Sequence, residues 1–383
     1  MTRSRPLRGG KEPVPTARDM LMLLAAALSL AGCGKPDPRI PPGYPRSYGE
    51  ILRQADGERR LLIWSATDKD KTQPLVDAFR RAHPGLNVTY VEMSARVLNA
   101  RFLEAVTKGG ETPDFLWSSA MDLQIKLTND GYAQSYDSPE AAALPRWANW
   151  KNQAWGVTAE PLVMIYNRNL IADAAAPTTR AALTRLLEDH PPALRGRIAT
   201  YNVPTSAVGY LYLMQDQQAT HDIWRLIRAM GANGVKLYDN AEPLMAAVKQ
   251  GQVAIGYNII GSYARDEVRH DPTLGMIMPR DYTLVMSRIA LIPAAAPHPA
   301  AARLFLDFLL SRRGQHFLAA RSMPSVRTDV PSPEGLSAPG VPLRAIRVGP
   351  ALLVDRDVLT RRYFLKRWYA ALNPGDASKP PSH

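Results

Sequence analysis

The stretch Asp114-Phe115-Leu116-Trp117-Ser118-Ser119-Ala120-Met121-Asp122-Leu123-Gln124 constrains the chain most. Phe115 to Trp117 form a short apolar run, as a covered parallel strand requires. Ser118 and Ser119 bring hydroxyls that can cap the first N–H groups of a following helix. That helix is predicted to begin near Met121, with Asp122 in its first turn, where a negative charge suits the dipole, and to stop near Gly131. A strand that ends in hydroxyls at a helix start can hold an anion or a polar ligand. An ordinary capped strand–helix turn has the same pattern.

A second copy of this design lies upstream. Leu61-Leu62-Ile63-Trp64 runs into Ser65-Ala66-Thr67-Asp68, and Leu75, Ala78, Phe79 and Ala82 then share one helical face. Leu86–Val91 alternates as a strand after the Pro84-Gly85 turn, and Leu98, Phe102, Ala105 and Val106 mark a helix that ends at Gly109-Gly110. Strand and helix in alternation argue for a parallel sheet with right-handed crossovers. The order repeats after Trp155. Strands are predicted at Leu162–Tyr166, Arg197–Thr200 and Val253–Tyr257, with helices at Ala181–Leu187, around Ile223–Met230 and around Leu244–Val248. Asn258–Tyr263 reads as a polar exit loop, Leu284–Pro293 as one long apolar strand, and Pro161 as a mark of an edge or connecting strand. Helices are predicted again over Ala301–Leu309 and Leu365–Leu372. The proline-rich residues 328–342 read as a surface excursion.

The 383 residues suffice for about two domains. With 46% hydrophobic and 21% charged residues the chain can bury a core. The formal charge of +12 favours anionic partners. The basic residues are scattered and form no stripe interleaved with aromatics, which argues against nucleic acid.

No P-loop, Gly-rich dinucleotide turn, nucleophile elbow or metalloprotease helix is present. The histidines show no pair at metal-ligand spacing, so neither metal nor cofactor is expected. Glu160, beside Thr158 in a crossing strand, can touch a ligand or pair with an arginine. Tyr201, Tyr257 and Tyr263 lie at or past strand ends, where phenols either bind a ligand or cover the core rim. A hydrolase using Glu160 is the enzyme alternative; the expectation is a binding protein without catalytic residues.

The amino end carries a separate signal. Arg3, Arg5, Arg8, Lys11 and Arg18 precede an apolar run from Met20 to Leu30, too short to span a bilayer. Leu30-Ala31-Gly32-Cys33 then resembles a bacterial lipobox and uses the only cysteine. It implies a signal peptide over 1–32, lipid on Cys33 and a proline-rich tether over 33–58.

Trp64-Ser65-Ala66-Thr67-Asp68, Trp117-Ser118-Ser119-Ala120-Met121-Asp122, Asn129-Asp130-Gly131-Tyr132, Ser138-Pro139-Glu140, Glu160-Pro161, Tyr166-Asn167 and Gly256-Tyr257-Asn258 with Gly261-Ser262-Tyr263 together resemble family-1 extracellular solute-binding proteins of ABC transporters. The likeness is to the group holding iron(III)-binding and phosphoglycerate-system components. It implies an α/β, bilobal type II periplasmic-binding-protein fold, two doubly wound sheets joined by a two-strand hinge. Lobe 1 would take 59–157 and 290–372, lobe 2 158–289, and 373–383 would be a tail. The hinge strands would lie near 157–166 and 283–292.

By the same resemblance Ser65, Thr67, Ser118, Ser119 and Ala120 line one wall of the ligand cleft. Thr158 and Glu160 stand at the hinge, and Tyr201, Thr205, Ser206, Tyr257, Asn258 and Ser262 line the other wall. Iron-binding relatives use adjacent tyrosines; this chain has no Tyr-Tyr pair, and Tyr210 and Tyr212 would share a face in a strand but diverge in a helix. Hydroxyl-rich loops suit an organic or phosphorylated oxyanion, with Arg96, Arg101, Arg265 or Arg280 as counter-charge. The implied partners are a membrane permease and, through the lipid, a membrane facing the periplasm or cell surface; the chain would be a monomer. Alternatives are a periplasmic sensor subunit of a two-component system and a ferric-ion binding protein.

Overall fold

The computed structural model describes residues 37–189, 192–337 and 339–373. The expected signal peptide, Cys33 and nearly all of the expected tail lie outside the described residues. The chain divides into two compact units, residues 1–49 and 50–383. In the first, residues 37–47 are mostly turns, with Arg39 paired to Asp37 at 2.8 Å and the Tyr44 ring edge-on to Tyr48.

Helix α1 (Tyr48–Glu58) takes the last 11 residues of the expected tether. Leu52 and Ala55 are its buried residues in the second unit. Two such positions make too sparse a stripe to read without their tertiary partners. Glu58 accepts the N–H groups of Ala300 and Ala301 at 3.1 and 2.8 Å, and so closes the amino end of a later helix.

The first lobe then builds by strand–helix units: β1 (Arg60–Ser65), α2 (Lys69–Ala82), β2 (Asn87–Glu92), α3 (Ala95–Lys108), β3 (Phe115–Ser118) and α4 (Met121–Asn129). Strand β1 pairs in parallel with β2 and with β3. Its residues 61–65 are all buried, as a central strand covered on both faces requires. Gly109 closes α3 at φ +73°, a conformation that costs glycine nothing. Two short strands, β4 (Asn149–Trp150) and β5 (Ala154–Gly156), follow.

The chain crosses at 157–159 into the second sheet: β6 (Glu160–Asn167), α5 (Arg180–Glu188), β7 (Ile198–Tyr201), α6 (Gly209–Ala219), α7 (Ile223–Ala232), β8 (Lys236–Tyr238), α8 (Ala241–Lys249), β9 (Ile255–Ile260), α9 (Gly261–His270), β10 (Leu274–Ile277) and β11 (Thr283–Met286). It returns through Ser287-Arg288 to β12 (Ile289–Leu291), α10 (Pro299–Leu310) and α11 (Arg312–Ala319). Phe79 of α2 and Phe115 of β3 both stand edge-on to Phe305 of α10, at 5.1 and 5.0 Å, which seals the first lobe's core. The last elements are β13 (Leu343–Ala345), α12 (Ala351–Val354) and α13 (Val358–Leu372). The sheet orders are β2-β1-β3-β12-β5-β4 and β13-β11-β6-β9-β7-β8, with β10 also on β6.

Four expectations change. The run 284–293 is two strands in different sheets, broken at Ser287-Arg288, because the chain crosses there. Residues 258–260 extend β9, and Gly261 starts a helix, where a polar loop was expected. Strand β6 is central, with partners on both sides; Pro161 is tolerated because it sits at the hinge end of the strand. Residues 290–372 do not all belong to the first lobe, although Val348 still donates to the Trp147 carbonyl and Arg356 pairs with Asp122 there. Strand β13 pairs with β11 of the second sheet, and Trp368 and Phe364 of α13 bury against Trp224 and its neighbours on α7. Helix–helix packing over a distance of more than 100 residues leaves no local sequence signal.

Candidate ligand-binding cleft

Both short crossings converge on one buried ion pair. Arg288 donates from Nε to Glu160 Oε1 at 2.8 Å and from Nη1 to Thr67 Oγ1 at 3.0 Å. Thr158 Oγ1 donates to Glu160 Oε1 at 2.9 Å and accepts the Arg288 N–H at 2.9 Å. Ser262 Oγ donates to the second carboxylate oxygen of Glu160. Arg288, Glu160, Thr158, Thr67 and Ser262 are all fully buried. Burial pushes the guanidinium down; Glu160 and Tyr263 together outweigh it and hold Arg288 well above its ordinary value. Every polar atom of the pair has a partner, which a buried charge needs. A third passage of chain runs alongside: Gln315 donates to the Val157 carbonyl at 3.0 Å, and Ala159 donates to the Pro324 carbonyl at 2.9 Å.

Beside this hinge the loops at the strand ends of the two sheets enclose a cleft of about 1130 Å³. Side chains from both lobes meet across it. Tyr263 of α9 donates to Asp68 at 3.3 Å, Lys71 of α2 pairs with Asp266 of α9, and Arg96 of α3 donates to the Thr205 carbonyl. Tyr263 is pushed up to about 12 by burial, so it is a neutral hydrogen-bond donor at any physiological pH. Burial also raises Asp68, against the pull of Arg288.

Of the residues expected in the site, Ser119, Tyr201, Thr205 and Ser206 line this cleft. The others stand behind its surface. Ser65 is buried, donating to the Trp117 carbonyl at 3.0 Å and accepting the Thr67 N–H. Ser118 accepts the Ala120 N–H at 3.2 Å, and Ala120 is buried at the start of α4. Thr67, Thr158, Glu160 and Ser262 form the ion-pair frame just described. Tyr257 and Asn258 point into the second lobe instead. Both donate to Asp216, at 2.9 and 2.6 Å, within a buried network that includes Arg180 and Tyr282. Asn258 takes φ +63°, and this turn of the backbone aims its amide at Asp216.

Among the expected counter-charges, Arg96 alone lines the cleft. Arg101 stacks over Trp64, Arg265 faces Glu334, and the Arg280 backbone N–H donates to the Thr178 carbonyl at 2.8 Å. The arginine at the centre of the hinge, Arg288, was not expected. Its signal was available: it is the one charge inside the apolar run 284–293. Among the described residues no group of three or more His, Cys, Asp or Glu side chains comes together to hold a metal ion.

This two-sheet, hinged architecture has solved counterparts. A substrate-binding protein of an ABC transporter from Agrobacterium tumefaciens is 39% identical, with 82% of this chain and 94% of that chain covered and a TM-score of 0.76. Iron-bound HitA from Pseudomonas aeruginosa is 18% identical over 82% of this chain and 99% of its own, with a TM-score of 0.65. AfuA from Actinobacillus pleuropneumoniae, with exogenous fructose-6-phosphate bound, is 15% identical over 82% and 99%, with a TM-score of 0.64. The last two share the fold alone. No curated protein matches the sequence. Residues 74–342 match the family described as bacterial extracellular solute-binding protein, so the chain belongs to that family.

Proposed function

We propose that this chain is the substrate-binding lipoprotein of an ABC importer, capturing one small solute between its lobes and handing it to a membrane permease. The observation that carries this reading is the cleft itself, walled by loops from two sheets that are joined at 157–159 and 287–288. Short crossings let the lobes rotate as rigid bodies, because few backbone dihedrals need to change. The buried Arg288–Glu160 pair stays at the pivot, while Lys71–Asp266 and Tyr263–Asp68 are contacts between the lobes that can form on closing. Ser119, Tyr201, Thr205 and Ser206 would touch the solute. Cys33 would carry the lipid that holds the protein at the periplasmic or outer face of a membrane; Cys33→Ala should release it from the membrane fraction.

The organic or phosphorylated oxyanion expected from the hydroxyl-rich loops finds one cation on the cleft surface, Arg96, and this balance disfavours it. The test of solute capture is a thermal-shift screen of residues 45–383 against amines, carboxylates, phosphate esters, sugars and ferric iron. A ligand at about a hundred times its Kd adds roughly 2.7 kcal/mol, a rise of several degrees. A permease that co-purifies with the ligand-loaded chain supports import. Retention of a histidine kinase instead would assign the same cleft to sensing.

A further inference from the structure

The cleft lining carries six carboxylates: Asp68, Asp70 and Glu92 from the first lobe, and Asp239, Glu242 and Glu267 from the second. Among the described residues Arg96 is the one basic residue whose side chain lines the cleft. Other cations lie near but are committed. Lys71 pairs with Asp266, Lys249 with Glu267 at 3.0 Å, and Arg288 with Glu160. The lining therefore keeps a clear negative excess in a chain whose formal charge is +12.

The helix ends sharpen the point. An anion site would use the amino ends of helices that open on the cleft. At α2 that end already holds Asp68 and Asp70, and at α8 it holds Glu242. The chain's own carboxylates fill the places a ligand anion would take. Helices α3 and α6 are the exceptions. Helix α3 has Arg96 in its first turn, already donating to the Thr205 carbonyl across the cleft. Helix α6, which follows the cleft-lining residues 205–208, has no acid in its first turn but gives its first N–H to Ser206 Oγ at 3.1 Å.

A second, independent feature is Tyr201. It lines the cleft, is 2% exposed, and its hydroxyl has no hydrogen-bond partner. A phenol oxygen there can accept an ammonium N–H. The carboxylates not paired to a cation, Asp68, Asp70 and Glu92 on one lobe and Asp239 and Glu242 on the other, also repel one another across the gap. A ligand with positive charge at both ends removes that repulsion and draws the walls together.

Resting on the reading of solute capture above, we infer that the cargo is a net-cationic organic amine with ammonium groups directed at both walls. The test is calorimetric titration of the soluble chain with putrescine and spermidine at low salt, beside fructose 6-phosphate, citrate and ferric iron. Amine binding is expected, weakening with added salt and falling about tenfold in Asp70→Asn and in Glu242→Gln. Both residues are exposed, so thermal melts of the unliganded variants should match the parent and separate lost charge from lost fold. Binding of an anion or of ferric iron with silence to amines overturns the charge class and leaves solute capture standing. Amine binding that ignores both substitutions also overturns it. Silence to every class, with small-angle scattering unchanged by any of them, would bring down solute capture as well.

Discussion

Arg288 Nε lies 2.8 Å from Glu160 Oε1, and neither side chain is exposed to solvent. One residue enters from each of the two short crossings, so the pair joins the passages that link the lobes. Glu160→Gln leaves a buried guanidinium without its charge partner and is expected to cost about 3–5 kcal/mol. Replacing both, Glu160→Leu with Arg288→Met, removes the stranded charge and should cost less than the single change. Urea unfolding of the three proteins checks this. A single variant as stable as the parent would sink it.

The lobes also meet through Lys71 and Asp266, whose side chains are 8% and 34% exposed. Asp266→Asn should favour the open arrangement, since the partly shielded lysine loses its counter-charge on the opposite wall. The radius of gyration from small-angle scattering is expected to rise in the unliganded variant. An unchanged scattering profile counts against the pair as a closing contact.

Behind the hinge, Asp355 is pushed up to about 6, by burial first and then by the like charge of Asp122, against hydrogen bonds from Gln215 and Gln218. Asp122 itself accepts from Arg356 at 2.6 Å, and the Tyr210 hydroxyl donates to the Asp355 carbonyl. A carboxyl whose folded value is raised favours folding below its unfolded value of 3.8 and loses that contribution as pH rises through 6. Asp355→Asn is therefore expected to stabilise the protein above pH 7, by on the order of 1–2 kcal/mol after solvent screening, and to gain nothing at pH 4. Chemical denaturation at the two pH values reads the difference directly.

Trp368 of α13 is buried beside Phe364, which stands 5.2 Å from Trp224. Trp368→Ala should destabilise the protein by about 3–5 kcal/mol through the cavity it opens. Because α13 packs on the second lobe, hydrogen exchange should quicken in α7 while the protection of β1 and β3 stays as in the parent. Faster exchange in β1 and β3 would place the helix's contribution in the first lobe instead.

Local order was legible in the sequence wherever one element carried its own signal. The apolar runs at 61–64 and 115–117, the hydroxyls that follow them and the helical stripes beyond fix strand–helix units without reference to anything distant. The resemblance to solute-binding proteins rested on those same loops. Tertiary structure decided what they face. Ser65, Thr67 and Ser118 look alike as loop hydroxyls beside Ser119, yet three are turned inward and one lines the cleft, because strand register sets which side chain meets the opposing lobe. Arg288 was visible as a lone charge in an apolar run, but its partner lies 128 residues away. The charge of the cleft was hidden for the same reason. Its six acids come from four separate stretches of chain, and a net charge of +12 carries no information about which side chains the fold gathers into one place.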